Sequence, residues 1–415
     1  MTCNLQSQCR LPYWSPCIAL LMACACARAQ QNVVFTDPTV PSPLLQKEGP
    51  DQAQNPDASQ AGPPPSPFQE GPLTLRPHFL YRMVYGDGIQ ARPGHPSTTF
   101  IDTFAPGILA ELGSHWTLDY TPTWDVYTSK QFRDTLGHEV SLVAVNSLDD
   151  WNVKFVQSYD SSSQPLIETG LQTSEQDYIT NVSVTRPLGS NLLVEGGFEQ
   201  RLRYAVGFPD SNQWSSEDWL HYKWTQQFDS AVGFDIGYIT TSRQADTGFV
   251  TPELRLTWSP LQRLTIDVQG GAERRDFYGR PQTGQTTGTF KFAGNYSPFE
   301  ATTLTVAAGR DVNVSYFANQ SVRNTYWNAA LVQRLLKHFS LSASIGNSWD
   351  DYMSTLGSLE GKRSDSSRSY SVRLGTTLLR RATLSVLFQR SRNASSLQGF
   401  SYTSEQGGFE VGFRY

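Results

Sequence analysis

Residues 407–415 read GGFEVGFRY, and the fold turns on how that stretch is read. Phe409, Val411, Phe413 and Tyr415 fall on one face of an extended chain, with Gly408, Glu410, Gly412 and Arg414 on the other. Alternation with period two marks a strand with one apolar and one polar side. The last residues of a domain fray unless something ties them down, so a strand this regular is expected to be paired.

The same alternation runs back through the chain. In LTLRPHFLYRMVY, the set Leu73, Leu75, Phe79, Tyr81, Met83 and Tyr85 alternates with Thr74, Arg76, His78 and Arg82. In WTLDYTPTWDVY, Trp116, Leu118, Tyr120, Trp124 and Val126 alternate with Thr117, Asp119, Thr121 and Asp125. NLLVEGGFEQRLRY sets Leu192, Val194, Phe198, Leu202 and Tyr204 against Glu195, Glu199, Arg201 and Arg203. Further on, Leu254, Leu256, Trp258, Leu264, Ile266 and Val268 oppose Glu253, Arg255, Asp267, Glu273 and Arg275. Segments of about ten residues exceed the ~5–6 of an ordinary globular strand and suit a tilted membrane strand of ~9–11.

The connections alternate too. Tight junctions at LGSH, SLDD, PLGSN, QQFDS, SPLQR, SPFEA, LLKH and LLRRA are separated by longer polar loops such as GDGIQARPGHPST, YDSSSQPLIETGLQTS and DDYMSTLGSLEGKRSDS. Short turns on one side and long loops on the other predict an all-β, antiparallel transmembrane barrel of about 18 strands, with 16–18 as the range. Closure would pair Phe409–Tyr415 with Leu73–Tyr85, leaving no open edge in lipid. A propeller or sandwich also repeats strands, but the face it buries should be uniformly apolar, and here one face carries charge on nearly every strand.

Composition agrees. The chain holds 10 Trp, 18 Tyr and 22 Phe against 4 Met, and its mean hydropathy is −0.40. Beyond the N-terminus no run approaches the ~18 apolar residues of a membrane helix. A net charge of −5 argues against a nucleic-acid partner. CIALLMACACARAQ runs into Ala27-Arg28-Ala29, so residues 1–29 are expected to be a secretory signal cleaved before Gln30; LMAC at Leu21 to Cys24 is a lipobox-like alternative. All five cysteines (Cys3, Cys9, Cys17, Cys24 and Cys26) lie in that segment, which would leave a mature chain without disulfides or thiolate chemistry. Residues 30–71, rich in Pro, Gln, Asp and Ser, are expected to be a disordered periplasmic leader, a linker or a tether, ahead of a barrel over 72–415.

Export signal, cysteine-free barrel and final aromatic strand together resemble Gram-negative outer-membrane proteins. That resemblance implies an outer-membrane location with both termini periplasmic, contact with outer-membrane lipid, and recognition of Phe409, Val411, Phe413 and Tyr415 by the barrel-assembly machinery. More narrowly, the turns WSPLQRLTIDV and YSPFEATTLTV resemble those of the β-barrel porins encoded near exopolysaccharide clusters.

Motifs for chemistry are sparse. The histidines show no H-x-x-x-H or H-E-x-x-H spacing, and GSLEG at Gly357 has its serine one place too early for a nucleophile elbow. WDDY at Trp349 offers Asp350 and Asp351 to a cation, or reads as a solvated loop tip. No catalytic, cofactor or metal residues are expected. The lumen is expected to be lined by Arg76, Arg82, Asp119, Asp125, Glu195, Arg201, Arg203, Glu253, Arg255, Glu273, Arg275 and Arg373, charges that pair across strands. Both signs without a one-sign ring favour neutral or zwitterionic solutes and oligosaccharides, and barrels of ~16–18 strands leave an aqueous channel. A porin-like channel is the expected function, linked to polysaccharide export or sugar uptake. A non-conducting surface-binding barrel and an outer-membrane hydrolase are the alternatives.

Overall fold

The computed structural model describes residues 68–242, 245–278, 283–336, 338–354, 363–378 and 381–414. In chain order the first half forms β1 (Phe68–Glu70), β2 (Leu73–Arg92), β3 (His95–Leu112), β4 (Trp116–Tyr127), β5 (Thr135–Leu148), β6 (Trp151–Pro165), β7 (Gln172–Pro187), β8 (Leu192–Ala205), β9 (Ser211–Lys223) and β10 (Phe228–Thr241). The second half forms β11 (Thr247–Leu261), β12 (Leu264–Phe277), β13 (Thr283–Phe299), β14 (Thr302–Val314), β15 (Gln320–Leu335), β16 (Phe339–Ser354), β17 (Ser364–Leu378), β18 (Ala382–Ser395) and β19 (Tyr402–Arg414). From β2 onward each strand pairs antiparallel with the next, and β19 returns to β2. The result is a closed antiparallel ring of 18 strands, β2 to β19.

The seam places Phe413 opposite Phe79, Val411 opposite Tyr81 and Phe409 opposite Met83, with Glu410 opposite Arg82 on the other face. A Cβ added to Gly408 would strike the Met83 carbonyl oxygen, so a residue without a side chain lets these two strands approach. The ladder runs to Arg414 opposite His78, and Tyr415 lies outside the described residues.

Alternation becomes two different surfaces. Outward Leu254, Leu256 and Trp258 are 62%, 45% and 48% exposed, whereas Arg255 between them is 7% exposed and faces inward. The outer surface is apolar. Near the short-turn rim it carries Trp116, Trp151, Tyr222, Trp258 and Phe413, and towards the other rim Tyr85, Trp124, Tyr238, Trp349 and Tyr370, all exposed. An apolar band edged by aromatic girdles is the surface a membrane barrel presents to lipid.

Strands are longer, and loops shorter, than the sequence suggests. The ring strands run from 12 residues in β4 to 20 in β2. Most of the polar stretch GDGIQARPGHPST is ladder: Ile89 pairs with Ser97 and Arg92 with His95 after two register shifts, and the chain turns at Pro93-Gly94. Ser161–Pro165 likewise pairs with Gln172–Gln176. Polar side chains do not end a strand whose backbone groups have partners, and a rim in water exposes either face without cost. WDDY is also mid-strand. Asp350 accepts from Asn324 on the inner face while Asp351 binds Arg323 on the outer, so the two carboxylates cannot share a cation. The expected loop tip is therefore corrected.

At the leader boundary, Phe68–Glu70 folds back on Leu73–Leu75 through Gly71, whose φ of 57° suits a residue without a side chain. Structure thus begins inside the segment expected to be disordered; its earlier part, the signal region and GSLEG lie outside the described residues. The two SP motifs build the same device. The register shifts across Ser259-Pro260 and again across Ser297-Pro298, because proline has no N–H for the ladder. In each case the preceding serine donates its N–H to the neighbouring turn, Ser259 to Gln227 and Ser297 to Arg263.

One pair leaves the wall. β13 and β14 are paired from Phe299 and Thr302 only as far as Phe290 and Arg310. Beyond that point β14 stays with β15, and Val312 and Ser315 are buried, at 7% and 0% exposure. The tip of the β14–β15 hairpin bends into the ring.

Candidate functional site

The inner wall is built of charges neutralised by neighbours. Arg76 binds Glu111 at 3.0 Å, His78 meets Asp119 at 3.1 Å, and Arg201 binds Asp177. Thr103 donates to Asp125 at 2.6 Å, and Arg373 lies 3.5 Å from Glu410, whose strand position faces the buried Arg82. On β8 to β12, Arg255 stacks on the Trp219 ring at 4.1 Å and reaches Glu195 and Glu217 at 3.5 and 3.4 Å. Gln269 ties this group to Glu253 at 2.6 Å, and His221 sits between Glu195 and Asp229. Glu273 accepts from Arg275 at 2.7 Å, and Arg275 also donates to the Val312 carbonyl of the inward hairpin at 2.9 Å. All twelve candidates from the sequence fall on the inward positions of the ladder. Arg76, Asp125, Glu195, Arg201 and Glu253 have partners on the adjacent strand, as period-two patterning with cross-strand neighbours produces. Glu273 and Arg275 pair along β12, and Asp119, Arg255 and Arg373 reach across two strands or more.

The long-loop rim holds a second arrangement. The connection Leu166–Leu171 between β6 and β7 turns inward, with Ile167 and Thr169 buried. Glu168 on this loop accepts hydrogen bonds from Ser315 Oγ at 2.6 Å and the Tyr316 N–H at 2.8 Å, both beyond β14. Arg363, before β17, donates to the carbonyls of Glu168 at 2.6 Å and Ile167 at 3.3 Å. Around the ring, β7 to β14 count eight strands one way, and β15 to β19 with β2 to β6 count ten the other. The two connections therefore spring from nearly opposite walls. Loop and hairpin meet over the interior and bridge it.

Side chains from four directions lock this bridge. Arg203 of β8 donates to the Val314 and Ser315 carbonyls at 3.4 Å and lies 4.2 Å from the Tyr316 ring centroid. Tyr316 donates its hydroxyl to Glu175 of β7 at 2.7 Å. Arg363 is clasped between the Tyr352 and Phe400 rings, at 4.6 and 3.9 Å, and paired with the fully buried Asp365. Gly170, at φ 64°, turns the loop where a Cβ would meet Pro93 at 3.1 Å. Burial pushes the Glu168 carboxyl above the usual carboxylate range, against the opposing pull of Ser315, Arg203, Tyr316 and Arg363. The Tyr316 phenol is raised by burial as well, with Glu175 adding to the effect.

Of the bridge, sequence reading marks only Arg203. Glu168, Arg363, Ser315 and Tyr316 carry no motif. The one available signal is PLIETGL itself, where Leu166, Ile167 and Leu171 are apolar residues inside an otherwise polar loop. Among the described residues no group of three His, Cys, Asp or Glu side chains converges as metal ligands would.

Ring, charge-paired interior and apolar exterior define a closed β-barrel of the kind found in membranes. No protein-family model matches the sequence, and no curated protein matches it. Among solved structures the chain is similar to Pseudomonas aeruginosa OccK2 (OpdF), at 11% identity and a TM-score of 0.45, over 82% of this chain and 98% of that one. It is similar to Pseudomonas aeruginosa OpdK, solved with vanillate, at 10% identity and a TM-score of 0.44, over 82% and 99%. It is also similar to Acinetobacter baumannii OccAB3, at 8% identity and a TM-score of 0.44, over the same shares. The fold assignment rests on this chain's own closed ladder.

Proposed function

We propose that the protein is an outer-membrane channel for small polar solutes. The observation that carries this reading is a ring of 18 antiparallel strands whose inner face is charged with both signs and whose outer face is apolar. Such a ring is wide enough for an aqueous path, and a wall of mixed sign suits sugars and zwitterions better than one class of ion. The long-loop rim faces the cell exterior, and both ends of the described chain lie at the short-turn rim, on the periplasmic side. Phe409, Val411 and Phe413 on the closing strand serve the assembly machinery. A link to exopolysaccharide export rests on the two SP turns alone, and the twelve inward charges set the field along the path.

The bridge favours a second reading, a barrel that binds a partner at its surface and conducts little. Planar-bilayer recording of the purified full chain separates the two. Steady single-channel steps that shrink when a neutral oligosaccharide is added support the channel. Absence of steps in the parent and in an Arg363→Ala variant, whose bridge is released, would sink it in favour of the surface-binding barrel.

A further inference from the structure

On the outer surface, Arg368 of β17 stands directly opposite Arg392 of β18. Both are exposed, and among the described residues neither has a carboxylate within ion-pair distance. Two like charges facing each other across a strand pair destabilise it. Three other outward arginines near this level are neutralised: Arg390 pairs with Glu405 at 3.3 Å, Arg323 with Asp351 at 2.8 Å, and Arg274 with Asp276 at 3.0 Å. Arg310 rests on the outward Phe290 ring and donates to Thr325, whereas Arg368 and Arg392 are set against each other. Their outward neighbours across the ladder are Asn347 and Thr403, which are neutral polar side chains and supply no negative charge.

Height fixes what surrounds them. Each arginine stands about ten residues above the short-turn end of its strand, a rise of about 25 Å for a strand tilted by ~40°. That is the top of an apolar band of ~25 Å, and Tyr370 and Phe388 lie on the same outward faces just below, 40% and 49% exposed. A twinned guanidinium at this edge is placed at the lipid headgroup level, with aromatic and aliphatic surface beneath for acyl chains.

We infer that Arg368 and Arg392 form a docking site for the phosphate of an outer-leaflet glycolipid headgroup. This rests on the outer-membrane reading above, which turns the long-loop rim to the outer leaflet. Guanidinium groups bind phosphate oxygens through paired, charge-assisted hydrogen bonds. One phosphate between the two arginines would remove their mutual repulsion, and the exposed Thr403 offers a hydrogen bond to an adjoining sugar hydroxyl.

The test uses folded full-length protein in detergent with three probes: lipid A carrying two phosphates, the same lipid with its phosphates removed, and inorganic phosphate. Native mass spectrometry reads the bound lipid. The bisphosphorylated lipid is expected to bind, and the phosphate-free lipid to bind about tenfold more weakly, the loss of a charge-assisted hydrogen bond. Arg368→Gln with Arg392→Gln should abolish that preference while heat-modifiable migration and conductance stay as in the parent; Arg392→Gln alone serves if the double variant does not fold. Equal binding by variant and parent would overturn the site, and so would displacement of the lipid by inorganic phosphate at matched concentration. Protein that binds the lipid but passes no current, in the parent and in Arg363→Ala alike, upholds the site and sinks the channel. Protein that conducts but shows no phosphate preference sinks the site alone.

Discussion

Two parts of the interior are held together in opposite ways. Along the wall, charges are satisfied by near neighbours, mostly on the strand next door: Arg76 with Glu111, Arg201 with Asp177, Glu253 with Gln269. At the mouth, one loop carboxylate and one arginine gather groups from β7, β8, β14, β16 and the β18–β19 connection, separated by up to 196 positions in sequence. Wall pairs form as soon as register is set. The bridge can form only when the ring is already closed, because its two halves start from opposite sides. The wall is part of the fold's own cooperativity, and the bridge is a later, separable addition of the kind that opens locally.

If that separation is real, perturbing each part should leave the other standing. The largest effect is expected from Arg363→Ala, which strands the buried carboxylate of Asp365 without its partner and removes two donors to the loop. Breaking a buried pair by deleting one member costs about 3–5 kcal/mol, and here the loss should be local. Hydrogen exchange is expected to accelerate at residues 166–171 and 315–316 while heat-modifiable migration stays normal. Global unfolding of this variant would show that mouth and wall are one unit.

Leu256→Arg is the converse, an outward change on the wall far from the bridge. An arginine on the lipid face near the midplane costs about 2–4 kcal/mol in a barrel, so the urea midpoint of the whole ring should fall with exchange at 166–171 following it only through global unfolding. Selective loosening of the loop would contradict the separation.

The smallest effect concerns pH. Burial raises the Glu168 carboxyl, so the folded mouth holds its proton more tightly than the open one. The stabilisation is fully present below the ordinary carboxylate range and is lost as pH rises from there through the raised value. Loop exchange should therefore quicken between acid and neutral pH. Glu168→Gln, which keeps an acceptor without the charge, should hold the loop equally at both. A variant with the parent's pH response would place the titrating group elsewhere.

What the sequence discloses follows the same division. Period two names the outward and inward sets on β2, β4, β8, β11 and β12, because side-chain direction is fixed by backbone geometry alone. Closure is legible in Phe409, Val411 and Phe413 for the same reason. Loop lengths are not: Ile89–Arg92 and Ser161–Pro165 look like loop because they are polar, yet ladder hydrogen bonds are indifferent to side-chain polarity. The bridge is the least legible, since Glu168 and Ser315 are joined by the ring's circumference and by no spacing in the chain. Arg255 marks a middle case. Its face is readable, but its stacking on Trp219 depends on a neighbour two strands away.

The length of β2, 20 residues, has an electrical consequence. At ~3.3 Å per residue and a tilt of ~40°, such a strand climbs about 50 Å, roughly twice the thickness of the hydrocarbon it would cross. In a membrane the side of the ring formed by β2 and β3, of 20 and 18 residues, would then rise above the bilayer beyond the 12-residue β4, and the bridge, carried at the long-loop rim, would sit above the membrane's own level. If the protein conducts as proposed, current entering it meets two resistors in series, the bridge and then the wide bore. The narrower one governs, so the unit conductance should resemble that of a much smaller barrel and jump several-fold when the bridge alone is cut, with no change in the number of strands.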